Sequence, residues 1–162
     1  SGKEGLPLPA VIETLAGMGY QIGAHCVADE REVQGVDDRW QLAMVERELR
    51  ARTNRFWLLN GVTMLDPRQT FIDVTVQLGQ DVTLFPGTML QGRTVVGDGC
   101  EIGPDTRLVD TTVGNGTVIE NSVCRESTVG DGCHVGPFAS LSTGTHVATG
   151  ARTGAFYAAP AD

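Results

Sequence analysis

Three histidines are the side chains of this 162-residue sequence best suited to moving a proton at neutral pH. They are His25, His134 and His146. An imidazole can take a proton from an attacking hydroxyl or amine when it lies within hydrogen-bond distance of that group. A histidine that only packs or faces solvent is the more common case, so the elements that hold each imidazole decide its role.

Four cysteines offer a second kind of chemistry, either as disulfides or as ligands of a zinc ion. They are Cys26, Cys100, Cys124 and Cys133. Zinc sites usually take paired short spacings such as C-x-x-C, and this sequence contains no such pair. Three of the four, Cys100, Cys124 and Cys133, lie at inward-facing positions of a six-residue repeat that begins at Ile72. We therefore expect reduced thiols that act as apolar filler.

The sequence from Ile72 onward repeats with a period of six residues. A mostly aliphatic residue opens each unit, a small or β-branched residue returns four places later, and turn-forming pairs such as Asp98-Gly99 lie between. The steps after Leu108, Ile119 and Cys124 are five residues long. The opening positions are Ile72, Leu78, Leu84, Leu90, Val96, Ile102, Leu108, Val113, Ile119, Cys124, Val129, Val135, Leu141, Val147 and Thr153. The fifth positions are Val76, Val82, Thr88, Thr94, Cys100, Thr106, Thr112, Thr117, Val123, Thr128, Cys133, Ala139, Thr145 and Ala151.

Each unit is therefore a short strand followed by a corner. A strand of three or four residues buries too little surface alone, so the units must stack, each pairing with the unit one coil away. Three sides make a coil, and the repeat predicts a triangular prism of about five coils. The alternative is an antiparallel sandwich, but its hairpins need turn signals every eight to twelve residues, and here they come about every six.

The first seventy residues have a different pattern. A short helix is predicted at Ala10–Met18, followed by a strand at Tyr20–Val27. Asp37 and Asp38 are placed to cap a long amphipathic helix that ends at Asn60-Gly61. Its apolar positions are Trp40, Leu42, Val45, Leu49, Phe56 and Leu59. We interpret this helix as a connector.

The composition limits the partners of the chain. Its net charge is −8 and its pI is about 4.8, which argues against binding to nucleic-acid phosphates or to a membrane surface. Its apolar stretches are too short and too interrupted to span a bilayer. We expect a cytoplasmic protein.

The repeat resembles that of the hexapeptide-repeat proteins, which form left-handed parallel β-helices, assemble as trimers and are mostly acyltransferases or sugar-nucleotide enzymes. The preceding residues are more specific. EVQGVDDRWQLA at 32–43, GVTMLDP at 61–67 and Ile72-Asp73 resemble the junction of the bifunctional N-acetylglucosamine-1-phosphate uridyltransferase and glucosamine-1-phosphate acetyltransferase, which reads EVxGVNNRxQLA and GVTxxDPxxTxID. The resemblance covers residues 8 to about 156. It implies that the β-helix is left-handed and that the protein is a homotrimer.

The resemblance also implies roles for individual positions. Asp37 occupies the place of an asparagine that binds magnesium in the family, although helix capping is the favoured interpretation. Ser142 stands where the family has a phosphate-binding arginine, and residues 154–160 lack the family's lysine. We therefore expect neither active site to be complete in this chain. Magnesium, acetyl-CoA and the UDP-sugar or sugar phosphate would be ligands of the parent family only.

The leading hypothesis is the trimerising β-helix portion of such a bifunctional enzyme that makes UDP-N-acetylglucosamine, or of a decayed relative. Its expected segments are a remnant of a nucleotidyltransferase domain at 1–37, a connector helix at 38–61, a β-helix at 62–158 and a tail at 159–162. The alternative is a minimal acetyl-CoA-dependent acyltransferase with an inter-subunit site. In that case His134 or His146, which occupy the last position of their units, would be the general base.

Overall fold

The computed structural model describes residues 8–33 and 35–159, and these fall into two compact units, Ser1–Asp37 and Asp38–Asp162. The first unit contains helix α1, Leu8–Gly17, and a short 3-10 helix, Glu30–Val33. The strand predicted at Tyr20–Val27 is not formed, because these residues are exposed and find no strand to pair with among the described residues. Positions 1–7 and 34 of the predicted nucleotidyltransferase remnant lie outside the described residues.

The second unit begins with helix α2, Arg39–Leu59. Asp38 caps it, since its Oδ1 accepts a hydrogen bond from the N–H of Gln41 at 2.7 Å. The predicted cap is therefore correct for Asp38, which leaves Asp37 just outside the helix.

Fifteen short strands follow α2 and wind around three sides of a column. They are β1 Thr63–Met64, β2 Phe71–Ile72, β3 Gln77–Leu78, β4 Thr83–Leu84, β5 Met89–Gln91, β6 Val95–Val96, β7 Glu101–Ile102, β8 Arg107–Val109, β9 Thr112–Val113, β10 Val118–Ile119, β11 Val123–Arg125, β12 Thr128–Val129, β13 His134–Val135, β14 Ser140–Leu141 and β15 His146–Val147.

The strands form three five-stranded sheets in which each strand pairs with the strands three before and three after it. Sheet A has the order β1-β4-β7-β10-β13, sheet B has β2-β5-β8-β11-β14, and sheet C has β3-β6-β9-β12-β15. These pairings are parallel, which excludes the antiparallel sandwich. The predicted left-handed parallel β-helix of about five coils is confirmed.

The opening residues of the repeat line the inside of the column. Leu84, Leu90 and Ile102 have no exposed surface, and the opening positions from Ile72 to Val147 are buried. Aligned in register across the sheets, they form three continuous ladders. Burying each large aliphatic side chain contributes about 1.5–3 kcal/mol, so the ladders are the main stabilising feature of the column.

The register of the small inward residues differs from the prediction in the three five-residue units. Thr111, Ser122 and Ser127 are buried there, whereas the predicted Thr112 and Thr128 are exposed and Val123 is half-buried. The reason is strand alternation: a residue two places before an opening residue shares its face. When a unit loses one residue the corner shortens, and the alternation within the strand is kept.

Helix α2 packs on the column near β2 with an unexpected face. Asn54 is its buried residue, and Trp57 packs against the apolar core. Trp40, Leu49 and Phe56, which the amphipathic pattern assigns to the apolar face, are 72%, 51% and 57% exposed. Asn54 explains the choice of face, because its Nδ2 donates to the carbonyl oxygens of Pro67 at 2.7 Å and Thr70 at 3.0 Å.

Candidate functional site

The outer face of sheet A carries a histidine and a carboxylate in contact. His134 lies on β13 beside Val118 of β10, and its Nε2 is 3.3 Å from Oε1 of Glu120. Both side chains are about one-third exposed, at 36% and 35%. Arg152 pairs with His134 in the next coil through a β-bridge. An imidazole that contacts a carboxylate on an accessible face provides the two groups of a general base oriented by an acid.

His146 does not join this pair. It lies on β15 in sheet C, on another side of the column, where it is exposed and pairs through the backbone with Thr128. Within residues 8–33 and 35–159, no acid lies within ion-pair distance of His146. The two predicted candidates therefore occupy separate faces, and only His134 has an ionisable partner.

Ser142 is engaged with the backbone of its own column. Its hydroxyl donates to the carbonyl oxygen of Ala159 at 3.2 Å. The N–H of Ala159 in turn donates to the carbonyl oxygen of Ser140 at 2.9 Å, so the chain at 159, predicted as tail, is held by the top coil. The rest of the predicted tail, 160–162, lies outside the described residues. A hydroxyl at position 142 supplies no positive charge for a phosphate.

Asp37 is exposed and ends the first unit. In the described part of the chain, no group of three or more histidine, cysteine, aspartate or glutamate residues is arranged to hold a metal ion. A magnesium site usually takes one or two carboxylates together with substrate phosphates. The assignment of Asp37 as a magnesium ligand stays a prediction.

The four cysteines are free, and three of them are buried, as the repeat predicts for Cys100, Cys124 and Cys133. Burial raises the pKa of the Cys124 thiol to about 12 and also raises the pKa of Cys100. Cys100 and Cys133 donate from Sγ to the carbonyl oxygens of Gly114 at 2.9 Å and Ala148 at 3.1 Å. Buried thiols of this kind are structural and not nucleophiles.

Similarity to known proteins follows the β-helix and the residues before it. The chain is 45% identical over 149 residues to the bifunctional protein GlmU of Streptomyces avermitilis, covering 92% of the chain and 31% of that protein. It is 42% identical over 156 residues to GlmU of Mycobacterium marinum, covering 96% of the chain and 32% of that protein. The chain is a relative of GlmU.

The relationship to GlmU holds for nearly all of this chain but for only part of its relatives. A third relative, GlmU of Thermobifida fusca, is 46% identical over 116 residues, which is 72% of the chain and 24% of that protein. The chain thus spans between about a quarter and a third of the length of these GlmU proteins. No family model matches the chain.

Solved structures resemble this GlmU relative in fold alone. The acetyltransferase domain of PglB from Neisseria gonorrhoeae, in complex with acetyl coenzyme A, is 16% identical with a TM-score of 0.44, covering 71% of this chain and 66% of that one. PerB from Caulobacter crescentus, in complex with CoA and GDP-perosamine, is 19% identical with a TM-score of 0.41, covering 85% of each chain.

Two features of this GlmU relative escape the sequence analysis. Glu120, the partner of His134, lies two residues beyond Val118, which faces His134 across one coil. The number of residues per coil places Val118 beside His134, whereas the contact with Glu120 is diagonal and depends on the side chains. The rings of Phe138 and Phe156 stack on one corner with their centroids 5.2 Å apart. Both residues have a positive φ, as Asn121 has one coil below.

In the described part of the chain, no helix has the length and the hydropathy of a membrane-spanning segment.

Proposed function

We propose that this chain is the trimerising β-helix portion of a bifunctional enzyme that makes UDP-N-acetylglucosamine, a precursor of cell-wall peptidoglycan, or of a decayed relative of that enzyme. In this proposal the chain itself contains neither complete active site. Its work is mechanical: three columns pack about a common axis and hold their attached segments together. The observation that carries the proposal is the match of nearly the whole chain to about a third of GlmU.

The candidate residues support a structural role. Ser142, at the position of the family's phosphate-binding arginine, is neutral and bonded to Ala159, and the described end of the chain at 154–159 carries no lysine. A sugar phosphate would meet no cation at these positions. Phosphate recognition usually depends on such charge-assisted hydrogen bonds.

The cofactors belong to the parent enzyme in this proposal. We assign magnesium to the parent enzyme, and a role of Asp37 in binding it stays a prediction. We likewise assign acetyl-CoA to the parent family and not to this chain.

The test of inactivity is an acetyl-transfer assay on the purified chain. Glucosamine 1-phosphate and acetyl-CoA are mixed with the protein, and release of the free thiol of CoA is followed. We expect no release above a sample without protein. The full-length GlmU of Streptomyces avermitilis provides the comparison that shows whether the assay detects this reaction.

A minimal acyltransferase is the second candidate, and the contact of His134 with Glu120 favours it. It predicts turnover by the chain alone, lost in His134→Ala and kept in His146→Ala, because only His134 has an orienting carboxylate. Turnover with this pattern would replace the structural proposal by the enzymatic one.

A further inference from the structure

A cavity of about 490 Å³ lies between α2 and the loop that carries Pro67 and Arg68. Four arginines line it: Arg47, Arg50, Arg55 and Arg68. The rest of its wall is formed by two alanines, a leucine, Pro67 and the side chain of Asn54. Its volume lies in the range of small-molecule sites, which are typically about 300–1,000 Å³ and mostly apolar with a few polar groups.

The charge of this cavity is opposite to that of the chain. The described lining residues carry four guanidinium groups and no carboxylate, although the whole chain has a net charge of −8. The guanidinium of Arg50 lies 4.2 Å from the centroid of the Phe71 ring, so Arg47 and Arg55 of the same helix, together with Arg68, supply the charge that faces an anion. By contrast, Arg52 of the same helix does not line the cavity and pairs with Glu48 at 2.9 Å. An anion in the cavity would relieve the repulsion among its arginines.

The loop opposite α2 is held in place before any ligand binds. Asn54 donates to the carbonyl oxygens of Pro67 and Thr70, on either side of Arg68. The N–H of Arg68 donates to Oδ1 of Asp66 at 2.9 Å, and Nε2 of Gln69 donates to Oδ2 of Asp66 at 2.8 Å. The carboxylate of Asp66 is thus engaged by donors of its own loop. Preorganisation of this kind reduces the entropy lost on binding.

Asn54 adds an independent sign of an incomplete polar site. Its side chain is 2% exposed and lines the cavity, yet its Oδ1 has no hydrogen-bond partner among the described residues. A buried acceptor without a donor is unfavourable, and such groups in native proteins usually find water or a ligand. A ligand that brings hydroxyl or N–H groups along with its negative charge suits both features.

We propose that this cavity binds an organic diphosphate. The guanidinium groups hold the phosphate oxygens, since their planar forks match phosphate geometry with two hydrogen bonds each. The alanine, leucine and proline wall packs against the carbon-containing part of the ligand. This proposal goes beyond the trimerising role, because it assigns a small ligand to the connector helix.

The experiment measures binding of two probes, inorganic pyrophosphate and ADP, to the full chain by isothermal titration calorimetry. Both bind, and ADP binds at least about threefold more tightly because its organic part contacts the apolar wall. The double variant Arg47→Gln, Arg55→Gln weakens both probes by about tenfold or more, since it removes two charge-assisted partners. Glutamine is a good helix former, so α2 remains folded, which circular dichroism checks.

Two further variants complete the test. Ala51→Glu, which adds a carboxylate to the cavity wall, also weakens both probes by about tenfold. Arg52→Gln changes binding less than about twofold, because Arg52 carries the same charge outside the cavity. Absence of pyrophosphate binding, or an equal loss in Arg52→Gln, overturns the site. Equal affinity for ADP and pyrophosphate overturns its organic part.

Discussion

Cys124 makes the stability of the column depend on alkaline pH. Burial raises the pKa of its thiol from 9.0 to about 12, so the proton is held more tightly in the folded state than in the unfolded one. The contribution is fully present below about pH 9 and is lost as the pH rises from 9 toward 12. Between about pH 9 and 10.5 the loss is roughly 2 kcal/mol, at about 1.4 kcal/mol per pH unit.

The matching variant is Cys124→Val, which keeps an apolar side chain of similar size and removes the ionisable thiol. Urea denaturation at a fixed protein concentration under reducing conditions, at both pH values, should show a fall in the unfolding free energy that is roughly 2 kcal/mol smaller than in the parent. Cys26→Ala, at an exposed cysteine, serves as the control and should keep the parent's alkaline fall. If the unfolding free energy of Cys124→Val falls as much as that of the parent between the two pH values, ionisation of Cys124 is not the cause of the fall.

Asp38 is the residue that starts α2. Replacing it with alanine removes the hydrogen bond to the N–H of Gln41 and should lower the unfolding free energy by about 1 kcal/mol. Asp37→Ala removes the same charge one residue earlier and leaves the cap in place. Urea denaturation of the two variants separates the effect of the capping hydrogen bond from the effect of the charge. Equal losses of unfolding free energy in both would show that the cap is not the cause.

At the scale of the strand, the ladder residues leave no room for charge. Leu90 has no exposed surface and pairs with Ile72 and Leu108 in adjacent coils. Leu90→Asp should destabilise the column by more than about 4 kcal/mol and leave the protein insoluble, because a buried carboxylate there has no partner. Ser140→Asp, at an exposed position of the same sheet, should give soluble protein. A soluble, folded Leu90→Asp trimer would contradict the inward register.

The strands were predictable because one physical rule produces them. Each opening residue must face inward, so a period of six fixes three sides and the stacking of coils. The inward places of Thr111, Ser122 and Ser127 do not follow from the six-residue period, because each lies two residues before an opening residue and not four residues after one. Alternation within a strand is the stronger constraint of the two.

The helices and the sites were less predictable. The pattern correctly predicts a cap at Asp38, but it assigns the apolar face of α2 to residues that remain exposed. Asn54 decides the packing through two backbone carbonyls, which no periodicity encodes. The contact of His134 with Glu120 and the arginine-lined cavity likewise depend on side chains from separate elements.

For the whole molecule, the outer faces of the column differ in the charge that an interface would have to bury. The outward positions of sheet A include Glu101 and His134, and α2 packs beside β2 of sheet B. Sheet C has no lysine, arginine or carboxylate at these positions, which are Gln77, Val95, Thr112, Thr128 and His146. Desolvating uncharged side chains costs least, so we expect sheet C to form the contact in the proposed homotrimer.

Light scattering tests both the oligomer and the face. The purified chain should have a mass three times its 17.2 kDa, and a monomeric mass would remove the trimerising role. Thr112→Arg, at the centre of the sheet C face, should shift the mass toward monomer, because an arginine buried against its symmetry-related copies has no partner. Thr83→Arg places the same charge at an outward position of sheet A beside Glu101 and should leave the trimer intact. If Thr83→Arg dissociates the trimer and Thr112→Arg does not, the columns meet through sheet A, and His134 lies at the seam in place of His146.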